Sequence, residues 1–365
     1  MGENEYSAAN ITVLEGLEPV RKRPGMYVGD VHNGSGLHHL FREVLANALD
    51  QHLAGHCNQI AVELGADGSC TVEDDGLGIP AEGLEGRFIE RMMTTLHAGS
   101  TFDGHYPHDH IASHGVGLSP VNALSAWALV ETFRGGIHYR QRFARGFKAS
   151  ELERLGTTER RGTRMSFLPD AEIFSECSFS RRKIEQKLVE LALALPTVSF
   201  SLCDRRAEII RRPSGFRSLV EGKGDFSASP FCVHQEVDGV RIEAVAAWSD
   251  TGTAQIESYA NYCRTSGGGT HEEGLFLGLR EGLRLAAEDV TNWSECAEEA
   301  ELRRGLTAAV CVRLADIEYD SPTRSQLATR RVGSLVHRLV AREFAAYLRG
   351  EPALLEHLTR RMRAE

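Results

Sequence analysis

Three short runs hold the residues of this chain best suited to chemistry. Glu43 and Asn47 stand four apart in Glu43-Val44-Leu45-Ala46-Asn47-Ala48-Leu49-Asp50. Asp74-Asp75-Gly76-Leu77-Gly78-Ile79-Pro80 comes next, then His114-Gly115-Val116-Gly117. A carboxylate on a rigid helix can take a proton from water attacking a terminal phosphate, which suits Glu43 to general-base work. A side-chain carbonyl one turn on can ligate Mg²⁺, a cation that draws most of its oxygens from phosphates and water, and Asn47 fits. Asp74 can accept a hydrogen bond from the exocyclic amine of adenine. Gly76 and Gly78 let the backbone lie close to a flat base, in a run that Ile79 and Pro80 complete. Gly115 and Gly117 open a helix whose unpaired N–H groups point at phosphates. Thr163, after Gly162, can support Asp74 or a bridging water. The combination can make a nucleotide site, with ATP and Mg²⁺ the expected ligands, without a Lys-bearing phosphate loop, a motif absent from the sequence. Each run alone is weak. Glu and Asn on an amphipathic helix are usually its wet face, and Asp-Gly-x-Gly is usually a turn.

The elements around these runs must place them. Leu37, Leu40, Phe41, Val44, Leu45, Ala48 and Leu49 recur at helical spacing from Leu37 to Leu53. Glu43, Asn47 and Asp50 then share another face of that helix. Ile60 to Leu64 and Ser69 to Glu73 read as a hairpin turning at Ala66-Asp67-Gly68, so Asp74 sits at a strand end. Helices are expected at Ile89–Ala98, Gly117–Ala126, Phe179–Leu195, Glu272–Glu288 and Ser325–Leu348. Strands are expected within Ala128–Phe143 and at Thr163–Leu168, Thr197–Cys203, Gly239–Trp248 and Leu306–Leu314. Gly99 to Ser113 has no period and reads as a loop. Its His105, His108 and His110, with His114, read as an exposed cluster rather than a zinc site, which usually uses Cys or fixed helical spacing. Residues 1–30 read as an irregular arm, and Pro213-Ser214-Gly215 marks a boundary. The expected division is an arm over 1–30, an ATP-binding domain over 31–213 and a second domain over 214–365.

The bulk numbers agree with a two-domain globular protein. The chain has 365 residues, 42% hydrophobic and 25% charged. No apolar run is long enough to span a membrane, and the polar start is unlike a signal peptide. Eight Cys without a Cys-x-x-Cys pair suit the reducing cytoplasm. The net charge of −10 argues against non-specific nucleic-acid binding overall. Residues 321–365 nevertheless carry nine Arg against four Glu, either a solvated helix face or a surface for DNA or another partner.

In order, these runs resemble the ATPase and transducer region of DNA gyrase B and its topoisomerase IV counterpart, within the GHKL superfamily. The resemblance also rests on Val13-Leu14-Glu15-Gly16-Leu17, Val20 to Tyr27, Gly36-Leu37-His38-His39, Ala54-Gly55-His56-Cys57 and Leu96-His97-Ala98-Gly99. It continues through Val121-Asn122-Ala123-Leu124-Ser125, Gly268-Gly269-Thr270-His271-Glu272 and Gly305-Leu306-Thr307-Ala308. It implies an α+β fold, with a two-layer α/β sandwich of the GHKL (Bergerat) type followed by a smaller α/β transducer. It implies that Glu43 activates water, Asn47 binds Mg²⁺, Asp74 reads adenine with Thr163 beside it, and His114 to Gly117 form the phosphate lid. Tyr6 and Ile11 match an arm that enters the partner's site, so the family implies a homodimer closed by ATP. DNA and a gyrase A-like protein are the further partners it implies.

The chain departs from that pattern at four places. Leu77 stands where the family has Arg, Thr101 near where it has a phosphate-directed Lys, and Ile111-Ala112-Ser113 where the lid has two glycines and a leucine. Pro322-Thr323-Arg324 replaces Gln-Thr-Lys, so Arg324 becomes the expected contact to the terminal phosphate, with different geometry from a Lys. Arg134 matches an arginine that touches aminocoumarin inhibitors. The expectation is that ATP binding survives while turnover is slow or needs a partner. The sequence has neither the acidic metal-binding region nor the tyrosine region used to cut DNA. It is read either as a fragment of a longer subunit or as a complete, shortened protein, with a lean toward a stand-alone paralogue. The competing expectations are a GHKL protein repurposed for another partner or small-molecule pathway, and a nucleotide-binding module with little turnover.

Overall fold

A computed structural model describes residues 15–81, 87–96, 117–204, 207–211, 215–220, 226, 228–250, 252–287, 300–320 and 324–362. The chain divides into two compact units. One runs to Leu188 and takes in Val198–Ile210, and the other holds Val189–Thr197 and the chain from Arg211.

In the first unit the described part of the region read as irregular, from residue 15, holds two short helices, α1 (Glu18–Lys22) and α2 (Gly25–Val28). Pro19 opens the first, where its missing N–H costs nothing. Helix α3 (Ser35–Leu53) buries the stripe read from the sequence, Leu37 to Leu49. Full burial of each large apolar side chain contributes about 1.5–3 kcal/mol, so this face fixes the helix against the sheet. Helix α4 (Phe88–Thr94) is shorter than expected. So is α5 (Leu118–Ala123), because the chain is already extended at Ser125.

Nine strands form the sheet: β1 (Gln59–Leu64), β2 (Cys70–Asp74), β3 (Ser125–Arg134), β4 (Ile137–Ala144), β5 (Phe147–Lys148), β6 (Glu153–Thr157), β7 (Gly162–Pro169), β8 (Ser199–Cys203) and β9 (Ala207–Ile210). Their order is β5-β4-β3-β7-β2-β1-β8-β9, with β6 also on β4. Among these pairs only β1 with β8 is parallel. Leu202, Val62, Val72, Met165 and Val130 stand in one register row, all buried. Two residues further along, the row changes character. Phe200 and Ile60 lead to Asp74, and Thr163 faces Thr132. The covered face of the sheet is therefore apolar in its middle and polar at one end, and α3 packs on β2 and β7 across it.

The second unit has a sheet of β10 (Phe231–Val237), β11 (Val240–Trp248), β12 (Gln255–Ala260), β13 (Cys263–Arg264) and β14 (Leu306–Arg313), in the order β10-β11-β14-β12-β13. Helix α7 (Thr270–Ala286) lies between the parallel strands β12 and β14 in sequence and packs along α8 (Arg330–Gly350). Helix α6 (Arg181–Ala194) begins in the first unit and ends in the second, which also holds α9 (Pro352–Met362). Gly274, Gly278 and Gly282 give α7 one bare face. A Cβ on Gly278 would come within 2.7 Å of Val340 Cβ and 2.8 Å of the His337 carbonyl. Gly278→Val is therefore expected to cost about 3 kcal/mol through overpacking, read as a lower thermal midpoint. An unchanged midpoint would mean the two helices can move apart freely.

Helix α8 begins at Arg330, not Ser325, because the preceding segment is bound elsewhere. Gly267 N–H donates to Ser325 O at 2.8 Å, Leu327 N–H to Gly268 O at 3.1 Å and Thr270 N–H to Leu327 O at 3.1 Å. Below these straps a buried chain runs from His271 Nε2 to Thr265 Oγ1 (3.0 Å), on to Ser258 Oγ (2.8 Å) and to Glu272 Oε2 (2.9 Å). A carboxylate only accepts, so every proton in that chain points toward Glu272. Burial lowers the His271 pKa to about 4.

Candidate functional site

The site is assembled on one face of α3. Glu43 is 9% exposed, its Oε1 lies 3.2 Å from His39 Nε2, and its Oε2 is buried with no hydrogen-bond partner among the described residues. A bare buried carboxylate oxygen is costly unless something arrives to use it. Gly117 lies directly over this side chain: a Cβ there would be 3.0 Å from both Cβ and Cδ of Glu43. Its φ is −66°, so the need for glycine at this point is steric. One turn on, Asn47 Nδ2 donates to the Glu43 carbonyl at 2.7 Å, which leaves the amide oxygen for a cation. Asp50 follows, half-buried, its carbonyl accepting from Ala54 N–H at 3.0 Å.

Another turn brings Gln51, whose Oε1 accepts from Leu77 N–H at 3.2 Å. A Cβ on Gly76 would sit 3.0 Å from Gln51 Cβ, so the Asp74–Pro80 run meets α3 here. Glu43 and Gln51 are eight residues apart, about 12 Å along the helix. The helix thus joins the acidic end under Gly117 to the hairpin end at Asp74, a span that an extended nucleoside triphosphate covers.

Asp74 is 7% exposed. Its Oδ1 accepts from Gly76 N–H at 2.8 Å and Thr163 N–H at 3.3 Å, leaving Oδ2 for a ligand. Thr163 thus supports Asp74 through its main chain. Burial pushes the Asp74 pKa up to about 7, against the opposing effect of the two N–H donors. Next to it, Asp75 behaves oppositely. It also loses solvation, but backbone N–H groups of Gln59 and Asn58 more than offset that and hold its pKa below the usual value.

The run beyond Asp74 is held carbonyl by carbonyl. Arg161 Nε donates to Asp75 O at 2.9 Å and to Gly76 O at 3.2 Å. Arg134 Nη1 donates to Gly78 O at 2.6 Å and Thr132 Oγ1 to Ile79 O at 2.9 Å. Gly78 takes φ 76° where a Cβ would be 2.8 Å from Thr132 Oγ1. Gly162 takes φ 108°, and a Cβ there would be 2.7 Å from the Asp74 carbonyl carbon. Pro80 follows, half-buried, and Leu77 is 41% exposed.

His39, Gln51, Thr132, Arg161 and Gly162 have no role in the sequence reading. His39 was open to detection, since it precedes Glu43 by four residues on one helix face. The other contacts join segments far apart in the chain. Tyr6, Ile11, His114, Gly115 and Val116 lie outside the described residues, as do Thr101, the remaining His of the loop, Ile111–Ser113, Pro322 and Thr323. In the second unit, Arg324 takes φ 57°, with its guanidinium 5.8 Å from the Tyr319 ring centre and Nη1 3.8 Å from Cys263 Sγ. Among the described residues no cluster of His, Cys, Asp and Glu has a metal-holding arrangement, and no helix is long and apolar enough to cross a membrane.

Comparison with known proteins shows what the chain is similar to. A family model described as histidine kinase-, DNA gyrase B- and HSP90-like ATPase matches residues 32–173, and one described as DNA gyrase B matches residues 216–365. The DNA gyrase B protein of Halalkalibacterium halodurans is 36% identical over 372 residues, covering 98% of this chain and 58% of the relative. That of Archaeoglobus fulgidus is 36% identical over 366 residues, covering 97% and 58%. The chain spans about half the length of such curated relatives. It matches the crystal structure of the 43K ATPase domain of Thermus thermophilus gyrase B, solved with an aminocoumarin, at TM-score 0.80 and 31% identity, covering 95% of this chain and 93% of that one. The topoisomerase IV ATP-binding domain of Francisella tularensis, with a small-molecule inhibitor, gives TM-score 0.76 and 26% identity, covering 96% of each chain.

Proposed function

Because this chain belongs to the DNA gyrase B family of GHKL ATPases, we propose that it is an ATP-driven clamp: two copies close on binding ATP and reopen after hydrolysis. The observation that carries the reading is the buried Oε2 of Glu43 beneath Gly117, without a partner among the described residues, with Asn47 one turn along the same helix. Adenine lies at the Asp74 end, its amine donating to Oδ2, with Gly76, Gly78, Ile79 and Pro80 forming the edge of its pocket. The phosphates extend along α3 past Asp50 and Asn47 toward Gly117, under the lid segment His114–Val116.

Glu43 takes a proton from the attacking water at Oε2, while His39 holds Oε1 and fixes the carboxylate. Asn47 offers its amide oxygen to Mg²⁺, and the donor set suits a cation that takes one or two protein oxygens beside phosphate and water. Bound Mg²⁺ supplies charge compensation for the phosphates. Arg324 supplies a further positive charge to the terminal phosphate. Tyr6 and Ile11 belong to an arm over residues 1–30 that reaches the second copy, ahead of the ATP-binding domain over 31–213 and the transducer over 214–365. A cytoplasmic setting, DNA and a gyrase A-like protein are the wider context of this proposal.

Slow turnover in isolation is part of the same reading. It is favoured by Arg324 standing where the family has a lysine, because a guanidinium and an ammonium meet a phosphate with different geometry. Ultracentrifugation with and without a non-hydrolysable ATP analogue tests the clamp. A dimer that appears only with the analogue supports it, and a monomer under both conditions refutes it.

Asp74 gives the binding step a pH dependence. With its pKa near 7, the carboxyl is mostly protonated at pH 6 and mostly ionised at pH 8. The ionised form is the better acceptor for an amine, so nucleotide affinity rises with pH across this window. The expected gain is about tenfold between pH 6 and pH 8, with proton release on binding at the lower pH. Titration calorimetry with saturating Mg²⁺, which keeps the phosphates ionised, measures it. An affinity independent of pH over that range would contradict the assignment of Asp74.

A further inference from the structure

One guanidinium in the first unit binds three main-chain carbonyls from two segments. Arg161 Nε donates to Asp75 O at 2.9 Å and Gly76 O at 3.2 Å, and Nη2 donates to His56 O at 2.9 Å. Asp75 and Gly76 directly follow the carboxylate proposed to read the base, and His56 belongs to the turn after α3. The next two residues of the chain also serve Asp74. Gly162 lets the Asp74 carbonyl pass where a Cβ would be 2.7 Å from its carbon, and Thr163 N–H donates to Asp74 Oδ1 at 3.3 Å. Three consecutive residues, Arg161 to Thr163, thus bear on Asp74 and the two residues after it.

We propose that Arg161 is a positioning residue for base recognition, holding the Asp75–Gly76 backbone so that Asp74 presents Oδ2 to an adenine amine. The inference rests on the reading of Asp74 given above. Its physical basis is the Gly76 peptide. Gly76 N–H fixes Asp74 Oδ1 at 2.8 Å, and the carbonyl of the same residue is tied down by Arg161. With the guanidinium removed, the carbonyls of Asp75 and Gly76 lose the one charged N–H that they share. The turn can then rotate, and the Gly76 N–H that orients the carboxylate rotates with it. A planar guanidinium can serve diverging acceptors with separate N–H groups, whereas a lysine ammonium acts as a point charge. Arg161 is exposed, so its replacement leaves the core of the unit intact.

A positioning role predicts a loss specific to the base. The test compares binding of a non-hydrolysable adenine nucleotide and its guanine counterpart to the wild-type chain, Arg161→Ala and Arg161→Lys. Arg161→Ala is expected to weaken the adenine nucleotide about tenfold and the guanine nucleotide less than twofold, with kcat at saturating ATP within twofold of wild type. Arg161→Lys is expected to recover only a small part of the loss. Equal weakening of both nucleotides would show that Arg161 acts only as a positive charge near the phosphates, and would overturn the proposal. So would unchanged binding of both. Asp74→Ala in the same series separates the two layers of inference: if it leaves adenine affinity intact, the reading of Asp74 itself fails.

Discussion

Glu43→Ala will reduce ATP hydrolysis by about 10²- to 10³-fold, the effect of losing a positioned general base. Binding of ATP will change little, because the proposed adenine contact at Asp74 lies about two turns further along α3. The reason lies in how the carboxylate is kept. Its Oε1 is held by His39 at 3.2 Å, while Oε2 is buried beneath Gly117 with no partner among the described residues. Such a group is poorly solvated in the empty protein and gains a partner when water sits between it and a phosphate. The variant should also form the nucleotide-dependent dimer, since closure depends on binding and not on turnover. Steady-state phosphate release and sedimentation of the same sample measure both. A mutant that hydrolyses within threefold of wild type would remove Glu43 from the mechanism.

The second large effect is at the other end of the helix. Asp74→Ala will weaken adenine nucleotide binding by about 10²-fold, because a buried amine left without its acceptor costs on the order of 2–3 kcal/mol. The substitution also frees the N–H groups of Gly76 and Thr163, both of which now point at Oδ1. Calorimetric titration with a non-hydrolysable analogue, with circular dichroism as a check on folding, provides the measurement. A well-folded variant that binds within threefold of wild type would exclude Asp74 as the reader of the base.

Much of this site was legible in the sequence, for a definite reason. Helix α3 declares itself through a buried stripe at helical spacing, and the same spacing places Glu43, Asn47 and Asp50 on another face. The hairpin of β1 and β2 alternates cleanly, with Ile60 and Val62 turned inward, so Asp74 could be placed at a strand end. Residues whose partners are distant were not legible. Arg161 reads as an ordinary surface arginine until the fold brings it to carbonyls 85 and 86 positions away. The raised pKa of Asp74 is equally a property of burial, which no local pattern encodes.

The fold shows the same division. Strand β12 carries polar Gln255, Glu257 and Ser258, and is recruited by parallel pairing with β14, a partner some fifty residues on. Strand β10 sits at the sheet edge and alternates buried with exposed, but its exposed Cys232 makes Phe231 to Val233 read as one apolar run. The stretch from Ser325 to Thr329 has helical composition, yet Gly268 and Thr270 claim the backbone groups of Leu327. Tertiary hydrogen bonding overrides local propensity there.

Co-crystallisation with Mg²⁺ and a non-hydrolysable ATP analogue tests the central assignment most directly. The expected result places the adenine amine within hydrogen-bonding distance of Asp74 Oδ2, a cation on the Asn47 amide oxygen, and the terminal phosphate one water away from Glu43. A base bound away from Asp74, or a terminal phosphate out of reach of both Glu43 and Asn47, would contradict it.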